Sequence, residues 1–533
     1  METKSEFKTM RLGAVATAFP SATESAFTIL RQGGNAFDAV AAAAWSLAVC
    51  EPSGSGLGGQ TTALVRLANG ELKVIDGNSY APERVSLQRV SKASQKIGFR
   101  ACVIPSTPKV LGYLQSKWGK LSRREVMDPA IQLAEEGYKI TKLQHRQMEW
   151  THGFLSTSSS ISNLFLKNGL TPSIGEIFQQ KILAKTLQRL AEKGVEDFYH
   201  GEIAELIDHD MRKNGGLLGK KDLENFEIFP DANPLSISYG DYQIMTMPKL
   251  SSGGPQLLLS LKLLEKLNQK RHFTLTKWYR NLAEAIYTAL RERHNLPLEN
   301  DSDSLVEIML SETYTESVIR ETDNRSEFDL WLSKELSAIE ISESDGETTH
   351  LCVADAEGNI VSLTQSIQSL FGAKVANEQL GFIYNNYLST CPRFEHPHQL
   401  GSHCIPRSNV APTFVFKKSD ADNFPRLVLG AAGSRRIPSS ILQTISGVID
   451  WNLPVDEAIA APRIHALANR KIWLEKPVFS EALRKSLRKT FRKIVVRSKH
   501  HYKMAAVQAL HFDAEKRCLG ASDPRRDGTS EVV

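Results

Sequence analysis

A single apolar segment constrains the fold of this 533-residue chain more than any other feature. Residues 36–49 spell AFDAVAAAAWSLAV, and a helix of this sequence carries apolar side chains around its whole circumference. We therefore predict a helix that is buried on all sides. The apolar run is too short to span a bilayer. Glycine-rich residues 54–59 follow it, and then a predicted hairpin over 62–67 and 72–75 that turns at Asn69-Gly70.

The rest of the chain divides into a helix-rich first part and a sheet-rich last part. Apolar spacing predicts a strand over 13–18, helices over 21–32 and 278–293, and a helix-rich region over 120–225. Residues 296–347 are acidic and polar, which predicts an exposed loop before Thr348. Beyond it we predict a helix over 439–449 and strands over 350–355, 360–367, 381–386, 413–416, 426–433, 491–496 and 505–512. Both parts contain strands and buried helices, so they can share one fold.

Composition bears on partners and location. The net charge of +5 is small for this length and gives no support for nucleic acid or a membrane as a partner. The six cysteines are scattered without CxxC or metal-type spacing, so we expect reduced or buried thiols. The first residues are charged and polar with no apolar segment behind them, which predicts a cytoplasmic protein.

Residues 345–366, DGETTHLCVADAEGNIVSLTQS, carry the most chemical information. Taken alone, two threonines at the start of a strand indicate only β-structure, because threonine favours strands. Further motifs along the chain change that interpretation. They are GGNAFDAVAAAAWSLAVCEPSGSGLGG (33–59), MPKLSSGGPQ (247–256), the AEAIYTALRER helix, APTFVF (411–416), LGAAGSRRIPSS (429–440), AIAAPRIH (458–465) and GASDPR (520–525).

With these motifs in this order, the chain resembles the γ-glutamyltransferase family of N-terminal-nucleophile hydrolases over nearly its whole length. The resemblance implies an α+β fold, a four-layer αββα sandwich. It implies a precursor that cleaves itself between Glu347 and Thr348 into a large subunit, 1–347, and a small subunit, 348–533, which stay interleaved in one fold. Thr348 would then be the nucleophile. Its freed α-amino group, with an unperturbed pKa of about 8, can accept the hydroxyl proton, so we expect no separate base, metal or cofactor.

The resemblance also implies roles for four further residues. Ser366 stands where a second hydroxyl hydrogen-bonds the nucleophile, and Gln368 stands where an asparagine often helps to hold the substrate. The backbone N–H groups of Gly433 and Ser434 are the expected oxyanion hole, where the family usually has two glycines.

The residues expected to hold a glutamyl group depart from the family pattern. Asn78 replaces the arginine that binds the α-carboxylate, and no aspartate follows Asn385 and Asn386 to hold the α-amino group. We therefore predict that the catalytic residues are retained and glutamyl recognition is altered, since loss of a bidentate arginine costs a few kcal/mol. The residues assigned to this altered pocket are Asn78, Gln368, Asn386, Tyr387, Thr390, Ser408 and Asn409, with Arg407, Arg435 or Arg436 as a replacement cation. A structural ion pair is the simpler interpretation of Arg436.

Other motifs are given structural interpretations. Gly54, Gly56 and Gly59 form GxGxxG, but a helix precedes them and a strand follows, so we predict a tight turn near the active site rather than a dinucleotide site. His396 and His398, and the adjacent pair at 500–501, lack carboxylate or cysteine partners at metal spacing. The basic run over 484–503 is interpreted as a solvated helix face.

Three functions remain open from the sequence. The first is an autoprocessing amide hydrolase or acyltransferase that acts on a small-molecule amide through an acyl-Thr348 ester. The second is a γ-glutamyltransferase or glutathione hydrolase that binds glutamate through other residues. The third is an unprocessed scaffold or binding protein. The expected partners are the amide substrate and the two subunits of one precursor, and the sequence is compatible with a homo-oligomer.

Overall fold

Two β-sheets stacked face to face, with helices on both outer faces, form the centre of the protein. The structure is a computed structural model and describes residues 6–248, 251–268, 274–295, 303–323 and 346–533. The helices are Pro20–Arg31 (α1), Ala36–Cys50 (α2), Thr107–Trp118 (α3), Arg123–Glu136 (α4), Lys142–Leu155 (α5), Ser159–Phe165 (α6), Lys181–Lys193 (α7), Glu202–Lys213 (α8), Lys220–Glu224 (α9), Gly253–Leu267 (α10), Leu275–Asn295 (α11), Asp303–Met309 (α12), Glu312–Asp323 (α13), Ile437–Asp450 (α14), Val455–Ala460 (α15) and Glu481–Leu487 (α16).

The strands supply two large sheets and three small ones. Their bounds are Gly13–Thr17 (β1), Gln60–Arg66 (β2), Leu72–Asp76 (β3), Tyr138–Lys139 (β4), Ile177–Phe178 (β5), Phe229–Ala232 (β6), Leu235–Tyr239 (β7), Tyr242–Thr246 (β8), Gly346–Asp355 (β9), Ile360–Ser369 (β10), Ala376–Asn377 (β11), Phe382–Ile383 (β12), Thr413–Lys417 (β13), Pro425–Ala432 (β14), Ile464–Ala466 (β15), Lys471–Glu475 (β16), Lys493–Arg497 (β17), Ala506–Phe512 (β18), Cys518–Ser522 (β19) and Thr529–Val532 (β20).

The first large sheet has the order β20-β1-β9-β10-β2-β3-β6, and the second has the order β19-β18-β14-β13-β8-β7. Every neighbouring pair in these two sheets is antiparallel. Each sheet contains strands from before and after Thr348, so the two halves of the chain are interleaved in both sheets.

The apolar core has three layers that follow from this stacking. One cluster lies between the first sheet and helices α1 to α8, and a second lies between the other sheet and α10, α11, α14, α15 and α16. A third cluster fills the space between the two sheets, with Cys352, Phe414, Val428 and Leu510 among its members. This is the four-layer αββα arrangement, and the predicted α+β fold class is confirmed.

Helix α2 shows why the sequence folds this way. All its residues are buried, as predicted, because apolar side chains surround the helix and leave no polar face for solvent. Asn35 caps its N-terminus by accepting hydrogen bonds from the backbone N–H groups of Phe37 and Asp38. The helix lies on strands β9 and β10, where it carries the chain directly to the glycine-rich turn at 54–59.

Most predicted elements agree with the structure to within a few residues, but the predicted loop before Thr348 does not. Of residues 296–347, the ranges 296–302 and 324–345 lie outside the described residues. Residues 303–309 and 312–323 are helical, and Gly346 and Glu347 already belong to strand β9, where both are buried. The basic run over 484–503 also differs: helix α16 ends at Leu487, and the run continues as strand β17. The acidic composition of residues 296–347 predicted exposure, but pairing with β10 places its last two residues, Gly346 and Glu347, in the sheet.

Candidate active site

The bond between Glu347 and Thr348 lies inside the sheet sandwich. Glu347 is 2% exposed and Thr348 is 4% exposed. Side chains alternate along β9, and Cys352 and Ala354 face the second sheet, so Thr348 points to the same inner side. The register between β9 and β10 shifts between Gln365 and Gln368, a β-bulge directly opposite this bond. Bulges of this kind turn side chains towards active sites.

Ser366, in the bulge, connects the threonine hydroxyl to the carbonyl of the residue before it. Thr348 Oγ1 donates a hydrogen bond to Ser366 Oγ at 3.2 Å, and Ser366 Oγ donates to the carbonyl oxygen of Glu347 at 2.6 Å. The backbone N–H of Gln368 donates to the same Ser366 oxygen at 2.9 Å. The serine therefore orients the threonine hydroxyl and withdraws electron density from the Glu347 carbonyl.

The predicted oxyanion segment contacts the same stretch of β9. Gly433 has φ 131° and Ser434 has φ 55°, both in the region that favours glycine. A Cβ atom on Gly433 would lie 2.8 Å from Cα of Ala505, and one on Gly346 would lie 2.3 Å from Cβ of Ser434. Gly433 thus packs on the main chain of Ala505, and Gly346 packs on the Cβ atom of Ser434, and neither contact leaves room for a larger residue without a shift. The structure thus brings Gly433 and Ser434 to the residue that precedes Glu347.

A buried charge network supports the oxyanion segment from behind. Arg463 donates to the carbonyl oxygens of Met504 and Ala505 and to Asp523, while Arg525 binds Glu475 through two hydrogen bonds. Charged atoms buried to this degree are stable only when they are paired and hydrogen-bonded. Because Ala505 packs on Gly433, this network fixes the position of the expected oxyanion donors. Its two arginines lie in motifs quoted above, to which the sequence assigned no role.

A second group of charged residues, missed by sequence reasoning, surrounds Glu347. Arg526 Nη2 lies 2.7 Å from the Glu347 carboxylate, and Arg526 Nη1 donates to the Thr348 carbonyl oxygen at 2.9 Å. The Tyr502 hydroxyl donates to the other oxygen of the Glu347 carboxylate. Glu51, 3.5 Å from Arg526, has its pKa raised to about 7, because burial outweighs the attraction of the arginine. Of the residues that surround Glu347 in this group, only Glu51 lies in a motif quoted for the family resemblance, the one at 33–59.

The glycine-rich turn forms another wall, as predicted. A Cβ atom on Gly54 would lie 3.5 Å from the backbone nitrogen of Thr348, and one on Gly59 would lie 2.5 Å from the carbonyl oxygen of Ser366. Gly54 also accepts a hydrogen bond from the backbone N–H of Ile367. The turn holds the bulge against the Glu347–Thr348 segment and is followed by strand β2, so no helix after it could bind a pyrophosphate.

Four of the predicted substrate residues lie around Ser366. Burial raises the pKa of Tyr387 to about 12, and a hydrogen bond with Ser366 opposes that rise. Thr390 Oγ1 donates to the Tyr387 carbonyl at 2.9 Å. Gln368 has φ 81° in the bulge. The Asn386 amide accepts from the Ser369 N–H and donates to the Lys96 carbonyl, so it connects backbone segments.

The other three, Asn78, Ser408 and Asn409, lie together against a separate segment, residues 251–253. Asn78 Nδ2 donates to Ser251 Oγ at 3.3 Å, and Ser252 Oγ donates to the Ser408 carbonyl at 2.9 Å. The buried guanidinium of Arg293 donates to Asn409 Oδ1 at 2.7 Å and also to Ser252. Arg293 was not among the predicted replacement cations, and only tertiary structure brings it to this wall.

The predicted replacement cations and histidines have structural contacts. Arg407 Nη2 lies 2.7 Å from His396 Nε2, and the Arg436 guanidinium lies 5.8 Å from the centre of the Trp473 ring. The charge of Arg435 helps to lower the pKa of His465 to about 3, after burial as the main cause. The described residues contain no group of three or more His, Cys, Asp or Glu that could hold a metal ion.

Beneath Thr348, a buried histidine joins the two sheets. His350 Nδ1 contacts Thr364 Oγ1 at 2.8 Å and its Nε2 contacts Ser362 Oγ at 3.2 Å. Complete burial lowers its pKa to about 3, so the ring is neutral. A Cβ atom on Gly430 would lie 2.2 Å from the ring, so the facing sheet has room for this side chain only because residue 430 is glycine.

Comparison with known proteins identifies the family. Residues 22–533 match the family described as gamma-glutamyltranspeptidase. The chain belongs to the gamma-glutamyltranspeptidase family. It is 32% identical to a glutathione hydrolase proenzyme of Bacillus subtilis (strain 168), over 89% of this chain and 84% of that protein. It is 30% identical to the acylase ACY 1 proenzyme of Pseudomonas sp. (strain SE83), over 98% of this chain and 93% of that protein.

A solved structure gives the same result for the fold. The crystal structure of cephalosporin acylase from Bacillus halodurans superimposes with a TM-score of 0.86, at 26% identity, over all of this chain and 97% of that one. The predicted membership of the gamma-glutamyltranspeptidase family, an enzyme family, is confirmed. Within the described ranges, every helix is too short or too polar to be a membrane span. The predicted cytoplasmic location stays a prediction.

Proposed function

We propose that this member of the gamma-glutamyltranspeptidase family is a precursor that cleaves its own Glu347–Thr348 bond and then hydrolyses or transfers the acyl group of a small amide through Thr348. One observation carries the proposal. Ser366 accepts a hydrogen bond from the Thr348 hydroxyl and donates one to the Glu347 carbonyl oxygen, so one side chain orients both nucleophile and electrophile. The proenzyme names of the relatives agree with such processing.

The self-cleavage step follows from these contacts. Thr348 Oγ1 attacks the Glu347 carbonyl carbon, and the C–N bond breaks. The hydroxyl proton ends on the leaving nitrogen, which becomes the α-amino group of Thr348, and Glu347 becomes an ester on the threonine oxygen. Water then hydrolyses the ester and leaves a carboxylate on Glu347 and a free α-amino group on Thr348. Burial of the whole segment strengthens the polarisation of the carbonyl, because charges and dipoles interact more strongly in a low-dielectric site.

Turnover uses the same atoms in a new state. The free α-amino group of Thr348 takes the proton from its own hydroxyl, which attacks the amide carbonyl of the substrate. The N–H groups of Gly433 and Ser434 stabilise the oxyanion. The α-ammonium group passes its extra proton to the leaving nitrogen, the amine departs, and an acyl-Thr348 ester remains. Water resolves it to an acid, and an acceptor amine resolves it to a new amide.

The test is the fate of the chain after purification. We expect two polypeptides on a denaturing gel, with a mature fragment that begins at Thr348 by mass spectrometry, and a single band for Thr348→Ala. Thr348→Ser keeps the hydroxyl and should still be processed. A wild-type chain that stays intact on long incubation, or a Thr348→Ala chain that is cleaved at the same bond, would refute the proposal and favour an unprocessed scaffold.

A second candidate, hydrolysis or transfer of γ-glutamyl groups, is favoured by the glutathione hydrolase relatives and by Arg293. This buried cation lies at the wall formed by Ser252 and Asn409. It is a candidate substitute for the arginine that the family pattern has in the segment aligned with 76–82 and that this chain lacks. The discriminating measurement is turnover of γ-glutamyl-4-nitroanilide by fully processed protein. Absence of turnover beside hydrolysis of another acyl anilide excludes this candidate and leaves the general amide hydrolase.

A further inference from the structure

Two cysteines meet at the edge of the predicted substrate pocket. Cys391 and Cys404 are 13 residues apart in the chain, and their Sγ atoms lie 3.7 Å apart. Cys391 is buried, whereas Cys404 is half-buried and follows the exposed residues 402–403. Within the described ranges, no group of three or more His, Cys, Asp or Glu could hold a metal ion, so we interpret the pair as a dithiol. A disulfide bond is about 2.05 Å long, so a small movement would join the two sulfurs.

Cys391 is fixed to the group of predicted substrate residues around Ser366. It caps the 3₁₀ turn 387–390, which contains Tyr387. Gln95 Nε2 donates to the carbonyl oxygen of Cys391 at 2.7 Å. Tyr387 in turn shares a hydrogen bond with Ser366. A movement of the Cys391 backbone would therefore reach the turn that carries Tyr387.

Cys404 is attached to the other group of predicted substrate residues. Its carbonyl oxygen accepts a hydrogen bond from the Ala81 N–H at 2.9 Å, and the N–H of His403 donates to the Ala81 carbonyl at 3.2 Å. Ala81 belongs to the same segment as Asn78, and the chain runs from Cys404 directly to residues 408–409. A bond between the two sulfurs would therefore connect the two groups of predicted substrate residues covalently.

The two thiols differ in the way that thiol–disulfide exchange requires. The hydrogen bond from the Cys391 thiol lowers the pKa of Cys404, whereas burial raises the pKa of Cys391. The thiolate is the attacking form, and a disulfide from outside can reach a half-buried sulfur. Cys404 is therefore suited to attack, and Cys391 to displace the leaving thiol. The remaining cysteines are all buried, and burial raises the pKa of each: Cys50, Cys102, Cys352 and Cys518.

We propose that Cys391 and Cys404 form a thiol–disulfide exchange site for small-molecule disulfides, and that its oxidised form restricts the 391–404 loop between the two groups of predicted substrate residues. The restriction follows because a cross-link between the ends of a loop removes its open conformations. Both cysteines follow Thr348 in the chain, so the site does not depend on the proposed cleavage.

The exchange reaction has two steps. The Cys404 thiolate attacks one sulfur of the small disulfide, the S–S bond of that molecule breaks, and one small thiolate leaves and takes up a proton. The Cys391 thiol then releases its proton to solvent, and its sulfur attacks Cys404 Sγ in the mixed disulfide. The Cys391–Cys404 bond forms, and the second small thiolate leaves and is protonated. The protein pair is oxidised by two electrons, and the small disulfide is reduced to two thiols.

A mass-spectrometric experiment tests the exchange. The reduced, folded wild type is incubated with bis(2-hydroxyethyl) disulfide, which has no amide bond for the proposed hydrolase to cleave. The remaining thiols are then alkylated in denaturant, and the peptides are analysed. We expect a disulfide between Cys391 and Cys404 that dithiothreitol reverses, while the other four cysteines are alkylated. A wild type in which all six cysteines are alkylated would overturn the proposal.

Single substitutions separate the roles of the two sulfurs. Cys391→Ser should stop after the first step and keep a hydroxyethyl-thiol adduct on Cys404. Cys404→Ser should form an adduct on Cys391 about tenfold or more slowly, because that thiol is buried. Cys102→Ser, whose oxygen can keep the contact with the Phe99 carbonyl, is the matched control and should oxidise like the wild type. Equal adduct rates for Cys391→Ser and Cys404→Ser would contradict the assignment of Cys404 as the attacking sulfur.

Hydrogen exchange tests the effect on the loop. We expect the backbone amides of residues 392–403 to exchange about tenfold or more slowly in the oxidised wild type than in the reduced protein, and dithiothreitol to restore the faster exchange. Cys391→Ser treated with the same reagent should show no slowing, because its adduct does not close the loop. A disulfide that leaves the exchange of these amides unchanged would refute the restriction of the loop. Failure of the wild type to process would refute the proposed function alone, since the disulfide forms in either state of the chain.

Discussion

Arg525 and Arg526 are neighbours in the sequence, yet their buried environments differ. Arg525 binds Glu475 through two hydrogen bonds, contacts Asp523, and donates to the carbonyl oxygens of Ile459 and Ala461. All these partners follow Thr348 in the chain. Arg526 instead contacts Glu347, the Thr348 carbonyl and Glu51, and so spans the bond that we propose is cut.

This difference separates a structural region from a region that the proposed cleavage would change. The cleavage would leave the contacts of Arg525 named above intact, because all these partners follow Thr348. The same cleavage would put one partner of Arg526, Glu347, at a free chain end. The structural region supports the predicted oxyanion segment through Arg463 and Ala505, whereas the Arg526 region spans the bond of the proposed cleavage.

The largest expected effect breaks the structural region. Arg525→Met leaves the buried carboxylate of Glu475 without its arginine and leaves Asp523 with Arg463 as its remaining arginine partner, so we expect a loss of about 3–5 kcal/mol in the free energy of unfolding. The measurement is urea unfolding in the Thr348→Ala background, where the chain stays in one piece. Arg484→Met, at an exposed pair with Glu481, should cost about 0–1 kcal/mol. Equal shifts for the two variants would show that the buried network adds no special stability.

The next effect tests the oxyanion segment that this network supports. Gly433→Ala places a methyl group 2.8 Å from Cα of Ala505 at a φ of 131°, so the backbone donors must move. We expect kcat for amide hydrolysis to fall by about 10²–10³-fold, as for loss of one oxyanion donor. Gly153→Ala is the control, since its Cβ would have no atom within 4 Å and alanine favours the helix that contains it. An unchanged kcat for Gly433→Ala would place the oxyanion donors elsewhere.

The smallest effect concerns the Arg526 region and depends on pH. Burial raises the pKa of Glu51 from 4.5 to about 7, so the folded chain holds this proton more tightly than the unfolded chain. The stabilising contribution is complete below pH 4.5 and is lost as the pH rises through 7. Relative to Glu51→Gln, the Thr348→Ala chain should therefore lose up to about 3 kcal/mol of stability over that interval.

The measurement is denaturant unfolding of both chains at a series of pH values. Identical pH profiles would show that Glu51 keeps an ordinary pKa beside Arg526. Asp76, whose pKa burial raises to about 6, remains in both chains, so its contribution cancels in the comparison.

The sequence alone determined the family, the fold class and the residue pair at the centre of the site. Ordered motifs predicted the αββα sandwich, and the periodicity of residues 36–49 predicted a fully buried helix. Thr348 and Ser366 were also predictable as a pair, because they lie on adjacent strands joined by a short turn. Local patterns report such features because the residues that make them are close in the chain.

Tertiary structure decided what surrounds that pair. Three residues that are distant in the sequence meet at Glu347: Arg526, Tyr502 and Glu51. Arg526 and Glu51 are 475 residues apart. Arg293 likewise reaches Asn409 across 116 residues. No local pattern reports those contacts, because they depend on how two sheets stack and on which strand Glu347 joins. The acidic composition before Thr348 predicted an exposed loop, and pairing with β10 instead buried Glu347 against an arginine. The charges around the Glu347–Thr348 bond therefore follow from the stacking of the layers.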